Sequence, residues 1–429
     1  MCGILGQVDP RNQLPSEEQF LSLLKLLDHR GPDGFGAKKD NNCIFGHSRL
    51  SILDLSDAGS QPMESKCGRY LITFNGEIYN HQEIRDDLSK SFKLRRDHWV
   101  GSSDTETLLS SISLLGLEST MKIVRGMFAF GLWDKFERSI SLVRDPIGEK
   151  PLYYNIQDGS LIFSSELKPI KEILGSSLNI SKDVLTLYFK YNYIPTPYSI
   201  YENTFKLTPG SILRISLDAL NDSKRMNMDF EYVNENFELC EYWSLETCAN
   251  DANKNKFSTY DESLFEVNKA LNLSVQRQQI SDVPLGCFLS GGIDSSLIAS
   301  IMSDQYESKI NTFTIGFHER EFDESIYAKK IADFIDSNHH QKVISINDAI
   351  DIIPQIPKIY DEPFADSSQI PTYLICNLAK RDVTVALTGD AGDELFCGYN
   401  RYNTTNNWSN KFNLIPRSVR GILANRIRS

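Results

Sequence analysis

Apolar and polar positions along the chain follow two rhythms. Up to about residue 215, short runs of aromatic and β-branched residues recur between turn residues. LITFNGEIYN (71–80), MFAFGLWD (127–134), SISLVRD (139–145) and SLIFSSE (160–166) predict strands. MCGILG at the N-terminus predicts another, with Ile4, Leu5 and Val8 as core and Cys2 read first as a small buried hydrophobe. Two helices interrupt these strands. Ser16-x-x-Gln19 has capping-box spacing and opens SEEQFLSLLKLLDHRGP, which stops at Gly31-Pro32. Ser103-Asp104-Thr105-Glu106 opens a second helix through Leu108, Leu109, Ile112 and Leu115. This half predicts a mixed α+β domain with largely antiparallel sheet.

Past residue 258 helices and strands alternate. A helix carries Leu264, Val267, Leu271 and Val275 on one face. Strand VPLGCFL, helix DSSLIASIM, strand INTFTIGF, helix DESIYAKKIADFI, strand HQKVISI, a further helix and strand VTVALT follow. That alternation predicts an α/β, doubly wound parallel sheet. Between the halves, residues 219–257 are rich in Asn, Asp and Lys, as in a linker or surface excursion. The expected division is 1–215, a linker at 216–257, and 258–429. The last stretch, NLIPRSVRGILANRIRS, is basic and amphipathic: a domain helix, or less in keeping with the rest of the chain, a membrane-surface helix.

Composition narrows the partners. The 429 residues suffice for two or three domains, and 41% hydrophobic residues suffice for sizeable cores. A formal net charge of −12 argues against nucleic acid or an anionic membrane, which select basic patches. No signal peptide or apolar spanning run is read from the sequence. The eight cysteines are scattered without a C-x-x-C pair, so reduced thiols and a cytosolic location are expected, not a disulfide framework or a zinc site.

Two loops of the second half carry chemistry. In LSGGIDSS (289–296) a strand runs into Ser290-Gly291-Gly292 and a helix starts near Asp294. Glycines allow close backbone approach, and free amides at a helix start suit an anion. The lysine of a P-loop is missing, so γ-phosphate transfer of that kind is not expected. Asp294 is a candidate Mg²⁺ ligand, since that ion takes one or two carboxylates plus phosphate oxygens. LTGDAGDE (387–394) follows the last strand, so Asp390, Asp393 and Glu394 face the same crevice if both loops lie at strand C-termini. Read alone, either loop also fits a solvated turn.

Taken in order, MCGI, HRGPDG (29–34), HSRLSILDLS (47–56), QPM (61–63), NGEIYN (75–80), SDTE (103–106), GMFAF (126–130) and RDPIGEKPLYY (144–154) resemble a class II glutamine amidotransferase domain. SDVPLGCFLSGGIDSS, TFTIGF, DEPFADSSQIPT and LTGDAGDELFCGYNRY continue the resemblance into the asparagine synthetase superfamily, with its pyrophosphatase-type ATP loop. The fold implied is an N-terminal-nucleophile αββα sandwich followed by the doubly wound ATP-pyrophosphatase domain.

The resemblance makes Cys2 the nucleophile once Met1 is removed. A free α-amino group, with a pKa near 7.7–8.0, then serves as base for its own thiol, and His29 and His47 are left as structural residues. Asn75-Gly76, which alone reads as a hairpin turn, becomes the oxyanion hole. Arg49 holds the glutamine carboxylate, Glu77 and Asp104 its amino end, and Leu50, Ser51, Ile52 and Leu53 complete the site. Ammonia then passes through an internal tunnel to a second site, where aspartate is adenylated with ATP and Mg²⁺ and aminated. There Leu289, Ser290, Gly291, Gly292, Asp294, Ser295, Ser296, Ile315, Thr388 and Gly389 are implied to bind ATP, Asp390 to serve the adenylation centre, and Asp294 and Asp393 the metal. Asp390 stands where many members have glutamate, and Glu149 where an apolar residue is more usual. The family's synthetase domain continues past the point where this chain stops, with an R-x-PFLD-type motif and a catalytic lysine. Another carboxylate acceptor, glutaminase activity alone, or a non-catalytic interaction subunit stay open beside asparagine synthesis. Small molecules are the expected partners, with a homodimer as the protein partner to test.

Overall fold

The computed structural model describes residues 1–223, 233, 237–319, 323–413 and 419–420. The chain forms two compact units: Met1–Val283 with Asn347–Ile370, and Pro284–Ile346 with Pro371–Ser429. These differ from the division read from sequence, since helix Tyr260–Gln278 and the segment 347–370 both group with the first unit.

Strands β1 (Gly3–Val8), β2 (Gly34–Asp40), β3 (Cys43–Arg49), β4 (Met63–Glu64), β5 (Tyr70–Ile78), β6 (Gly126–Asp134), β7 (Ser139–Arg144), β8 (Tyr153–Gln157), β9 (Ser160–Ser164), β10 (Thr204–Lys206), β11 (Ser211–Ser216) and β12 (Glu238–Glu241) build the first unit. They form two antiparallel sheets of six, ordered β10-β8-β9-β1-β3-β2 and β12-β11-β7-β6-β5-β4. Side-chain alternation assigns the layers. Ile4 and Phe45 point inward to meet Leu71, Ala129 and Trp133 of the other sheet. Their neighbours Leu5 and Ile44 point outward, onto Phe20 and Leu24 of helix α1 (Glu17–Leu24). On the far face, Ile72 and Phe130 pack under α2 (His81–Ser91), α3 (Asp104–Leu115) and α4 (Leu117–Ile123). Helices α5 (Leu167–Leu174) and α6 (Lys182–Tyr191) complete the α1 side. The result is the αββα sandwich.

Local chemistry sets several details. The Ser16–Gln19 capping box forms in both directions. The second box forms only halfway. Ser103 accepts from the amides of Thr105 and Glu106, but the Glu106 carboxylate turns to the amides of Val100 (2.7 Å) and Gly101 (3.0 Å) and to Arg85 (3.4 Å). Asn75-Gly76 is no hairpin: it lies inside β5, with Gly76 opposite Phe128 of β6. The polar excursion is not merely a linker either, because Leu217, Leu220 and Phe237 join the inter-sheet core and β12 extends a sheet. Helix Tyr260–Gln278 buries only Val275 of the face read from sequence, and Leu264 is exposed. The basic stretch at 413–429 lies almost wholly outside the described residues.

In the second unit β13 (Leu285–Phe288), β14 (Asn311–Phe317), β15 (Asn338–Ile344) and β16 (Val385–Leu387) form a parallel sheet ordered β15-β14-β13-β16. The chain leaves β13 toward β14 on one side and returns to β16 on the other. The crevice at their C-terminal ends is therefore the topological switch point of this sheet.

Candidate active site

At one end of the sandwich a cavity of about 60 Å³ is lined by Cys2, Arg49, Leu50, Ile52, Leu53, Asn75, Gly76, Glu77 and Asp104. Register explains the gathering. Gly3 pairs with Ser48, so Cys2, just before β1, comes beside Arg49, the last residue of β3, while β5 brings Asn75–Glu77 from the facing sheet. Ser51 alone among the residues expected here lies outside that lining; its amide donates to Asp33 Oδ2 at 2.7 Å.

The Cys2 thiol donates to the Leu50 carbonyl at 3.6 Å and accepts from the Leu50 amide at 3.4 Å. Burial pushes its pKa up, against the Leu50 hydrogen bond and the nearby amino terminus, so the thiol rests protonated and needs a base. The chain's amino group, here that of Met1, is driven down to about 6, chiefly by burial with Arg30 and Lys150 adding to it. Although the Met1 residue is half exposed, its amine faces protein.

Among the described residues, both polar atoms of the Asn75 side chain are buried without a hydrogen-bond partner. A native buried amide in that state calls for an explanation, and one that lines a cavity beside a thiol has a ready role as a donor to substrate. Gly76 has no room for a side chain: a Cβ there would stand 2.2 Å from the Met127 carbonyl. Arg49 is held by the neutral carbonyls of Asp54 and Ser56 (2.9 Å), so its charge is available to an anion. Opposite in sign when ionised, Asp104 accepts from the amides of Ile78 (2.9 Å) and Thr105 (2.8 Å), and burial raises its pKa against those bonds. Glu77 is raised to about 7 by burial and by Asp104, with Lys150 opposing and Glu149 adding to the rise. Glu149, the unusual residue of the sequence, thus acts on Glu77 through its charge. His47 is neutral, lowered to about 3 by burial, and its Nε2 hydrogen-bonds the Phe74 carbonyl at 3.1 Å.

Sequence reasoning assigned no role to Lys150, Gln61 or Thr105, which also line the cavity. Gln61 links β5 to α3, accepting from the Phe74 amide at 2.7 Å and donating to Thr105 Oγ1 at 3.2 Å. QPM, SDTE and RDPIGEKPLYY contained all three, but nothing in composition aims a side chain inward.

In the second unit, residues 289–296 and 388–393 are brought together. Leu289 donates to the Phe313 carbonyl at 2.9 Å, and Ile315 lies near the end of β14. Ser290 Oγ and Ser295 Oγ are 2.9 Å apart and fold the loop over the start of helix Ile293–Gln305. That helix has Gly292 as N-cap and no side-chain cap, and Ser296 Oγ is buried without a partner. Gly291 needs its glycine, with φ +85° and the Ala328 amide 2.7 Å from an added Cβ. The Asp294 side chain packs on Gly392, while Asp390 is exposed and its amide donates to Thr388 Oγ1 at 3.3 Å. Among the described residues no group of three or more His, Cys, Asp or Glu is placed to hold a metal ion.

Residues 1–226 match the family described as a glutamine amidotransferase domain, and residues 266–429 the family described as asparagine synthase. A protein of Methanocaldococcus jannaschii, provisionally named asparagine synthetase (glutamine-hydrolysing) 2, is 37% identical over 93% of this chain and 76% of its own length. The chain belongs to the glutamine-hydrolysing asparagine synthetase family. Asparagine synthetase (glutamine-hydrolysing) 1 of Bacillus subtilis is 35% identical, with 94% of this chain and 59% of that protein aligned. A Mycobacterium tuberculosis relative, also provisionally named in this family, is 32% identical over 94% of this chain and 61% of its own length. This member of the family therefore spans between about three fifths and three quarters of these relatives.

Proposed function

We propose that the chain hydrolyses glutamine at Cys2 and uses the ammonia to convert aspartate, activated by ATP, to asparagine with release of AMP and pyrophosphate. The observation that carries the first half is the unpartnered Asn75 amide beside the Cys2 thiol and the Gly76 backbone. With Met1 removed, the neutral amine of Cys2 accepts the thiol proton. The thiolate attacks the glutamine amide carbon, and Asn75 Nδ2 and the Gly76 amide hold the resulting oxyanion. The amine returns the proton to departing ammonia, and water then cleaves the thioester. Arg49 takes the substrate carboxylate, and Glu77 and Asp104 its ammonium group.

For the second half, the uncapped helix start and the free Ser296 hydroxyl fit ATP phosphates. Asp294 and Asp393 are the carboxylates proposed for Mg²⁺, which with no third protein ligand depends on phosphate oxygens to complete its shell. Bound there, the ion would neutralise phosphate charge. Asp390 is the carboxylate proposed for the adenylation centre. The eight cysteines are all free, which supports a cytosolic enzyme, and no described helix is long and apolar enough to cross a membrane. A homodimer belongs to the same proposal.

Glutamine is expected to stimulate AMP and pyrophosphate formation in the presence of aspartate, Mg²⁺ and ATP. Glutamate release with no AMP would leave glutaminase activity alone, and AMP formation with a different acid would replace the acceptor. Glutamine binding should also depend on pH. Glu77 attracts an ammonium group only when ionised, and its pKa is raised to about 7. Below that value the carboxyl is neutral, so KM for glutamine should climb by up to about tenfold per pH unit. Glu77→Gln should flatten the profile; an unchanged slope would remove Glu77 from that role.

A further inference from the structure

Arg30 approaches Cys2 from its carbonyl side, with Nε donating to the Cys2 carbonyl at 3.0 Å. This contact does not use the Met1 amine. From Arg30 a run of alternating charge leads away. Nη1 donates to Glu166 Oε1 at 3.0 Å, Lys168 Nζ meets Glu166 Oε2 at 2.6 Å, and the same Nζ meets Asp361 Oδ1 at 2.6 Å. His29 Nε2 also lies 2.8 Å from Glu166 Oε1. The side chains of Arg30 and Asp361 are each 8% exposed, that of Glu166 12% and that of Lys168 25%, so the chain is largely buried, with Lys168 its most exposed link. Burial works against the Glu166 carboxylate, but hydrogen bonds from His29 and Lys168 and the charge of Arg30 outweigh it and hold the group at about 2. A buried charge that loses its partner is costly, so neighbours in such a row move together.

Asp361 has a second anchor. Its Oδ2 accepts the backbone amides of Leu167 and Lys168 at the start of α5, a helix whose own N-cap residue, Glu166, supplies no cap bond. The residue belongs to segment 347–370, which packs in the first unit although the chain on either side of it belongs to the second. Whatever shifts that segment shifts Asp361.

We propose that Asp361 is a positioning residue for glutamine hydrolysis: through Lys168, Glu166 and Arg30 it sets where the Cys2 backbone holds its thiol, and it ties that placement to the segment that continues into the second unit. This rests on the reading of Cys2 as nucleophile. The test measures kcat and KM for glutamate release, with thermal unfolding, in the full chain carrying Asp361→Asn, Lys168→Met, both, or Asp361→Glu. Asparagine at 361 keeps an oxygen for the α5 amides while removing the charge. Each single change should lower kcat by about tenfold to a hundredfold, as small misplacements of a reacting group do. KM should stay within about twofold, the double variant should be no worse than the poorer single, and Asp361→Glu should recover most of the rate. An unchanged kcat in Asp361→Asn, losses that multiply in the double variant, or losses that follow the unfolding temperature would overturn the relay. A wild-type chain that releases no glutamate overturns the functional reading and the relay together, whereas an active wild type beside an unaffected Asp361→Asn overturns the relay alone.

Discussion

Cys2→Ala should lower glutamate release from glutamine by at least about 10³-fold, the scale seen when a nucleophile is removed and only binding and oxyanion stabilisation remain. The substitution deletes one sulfur whose polar contacts are two long ones to Leu50 and keeps the backbone contact to Arg30, so the fold should persist. If the second site is intact, AMP formation from aspartate, ATP and added ammonia should remain, since that route bypasses the thiol. Retention of glutaminase activity would show that another group carries the reaction. A companion measurement is the mass of the N-terminus. In active protein Met1 should be absent, because only then is the amine beside the thiol that of Cys2 itself.

The second large effect separates two adjacent residues. Asn75→Ala removes the proposed oxyanion donor, and losing such a donor typically costs about 10²–10³ in kcat. It also removes two buried polar atoms that have no partner, and leaving such an atom unsatisfied costs about 1–3 kcal/mol. Activity should therefore collapse while the unfolding temperature holds or rises, the signature of a group kept for chemistry at the expense of stability. Gly76→Ala should do the reverse to the fold. Its Cβ would meet the Met127 carbonyl at 2.2 Å, and forced overpacking costs about 1–3 kcal/mol. Should Asn75→Ala prove as active as wild type, the orphaned amide has some other cause.

Much of this was legible before any coordinates. Aromatic and β-branched runs located β1, β5, β6, β7, β9 and β13–β16 but not β2–β4, β8 or β10–β12, and Ser16 announced its helix because a capping box is a purely local arrangement. Where a second partner competed, local reading failed: Glu106 had three alternatives to its own N-cap, and Arg85 with the Val100 and Gly101 amides took it. Asn75-Gly76 misled in isolation because its backbone is set by pairing with Ala129 and Phe128, some fifty residues on, and not by its own turn preference. The residues proposed for glutamine were named through motif order, and the structure brings all but Ser51 to the cavity lining. What no pattern could supply was the pKa of Glu77, which depends on burial and on charges from three other segments. The grouping of 347–370 with the first unit was equally invisible, since DEPFADSS looks like any acidic turn of the second half.

That grouping bears on how the protein can be cut. Glu362, beside Asp361, meets Lys206 at 2.6 Å and accepts from the Ile200 amide at 2.7 Å. Burial raises the Glu362 pKa and lowers that of Lys206, so each ion depends on the other being there. An excised glutaminase ending at residue 226, where the family match stops, would keep the lysine and lose its acid, at a cost of about 3–5 kcal/mol for a buried pair broken on one side. The first folding module is thus discontinuous in sequence. A soluble, independently expressed version needs residues 347–370 returned to it as a graft or a supplied peptide.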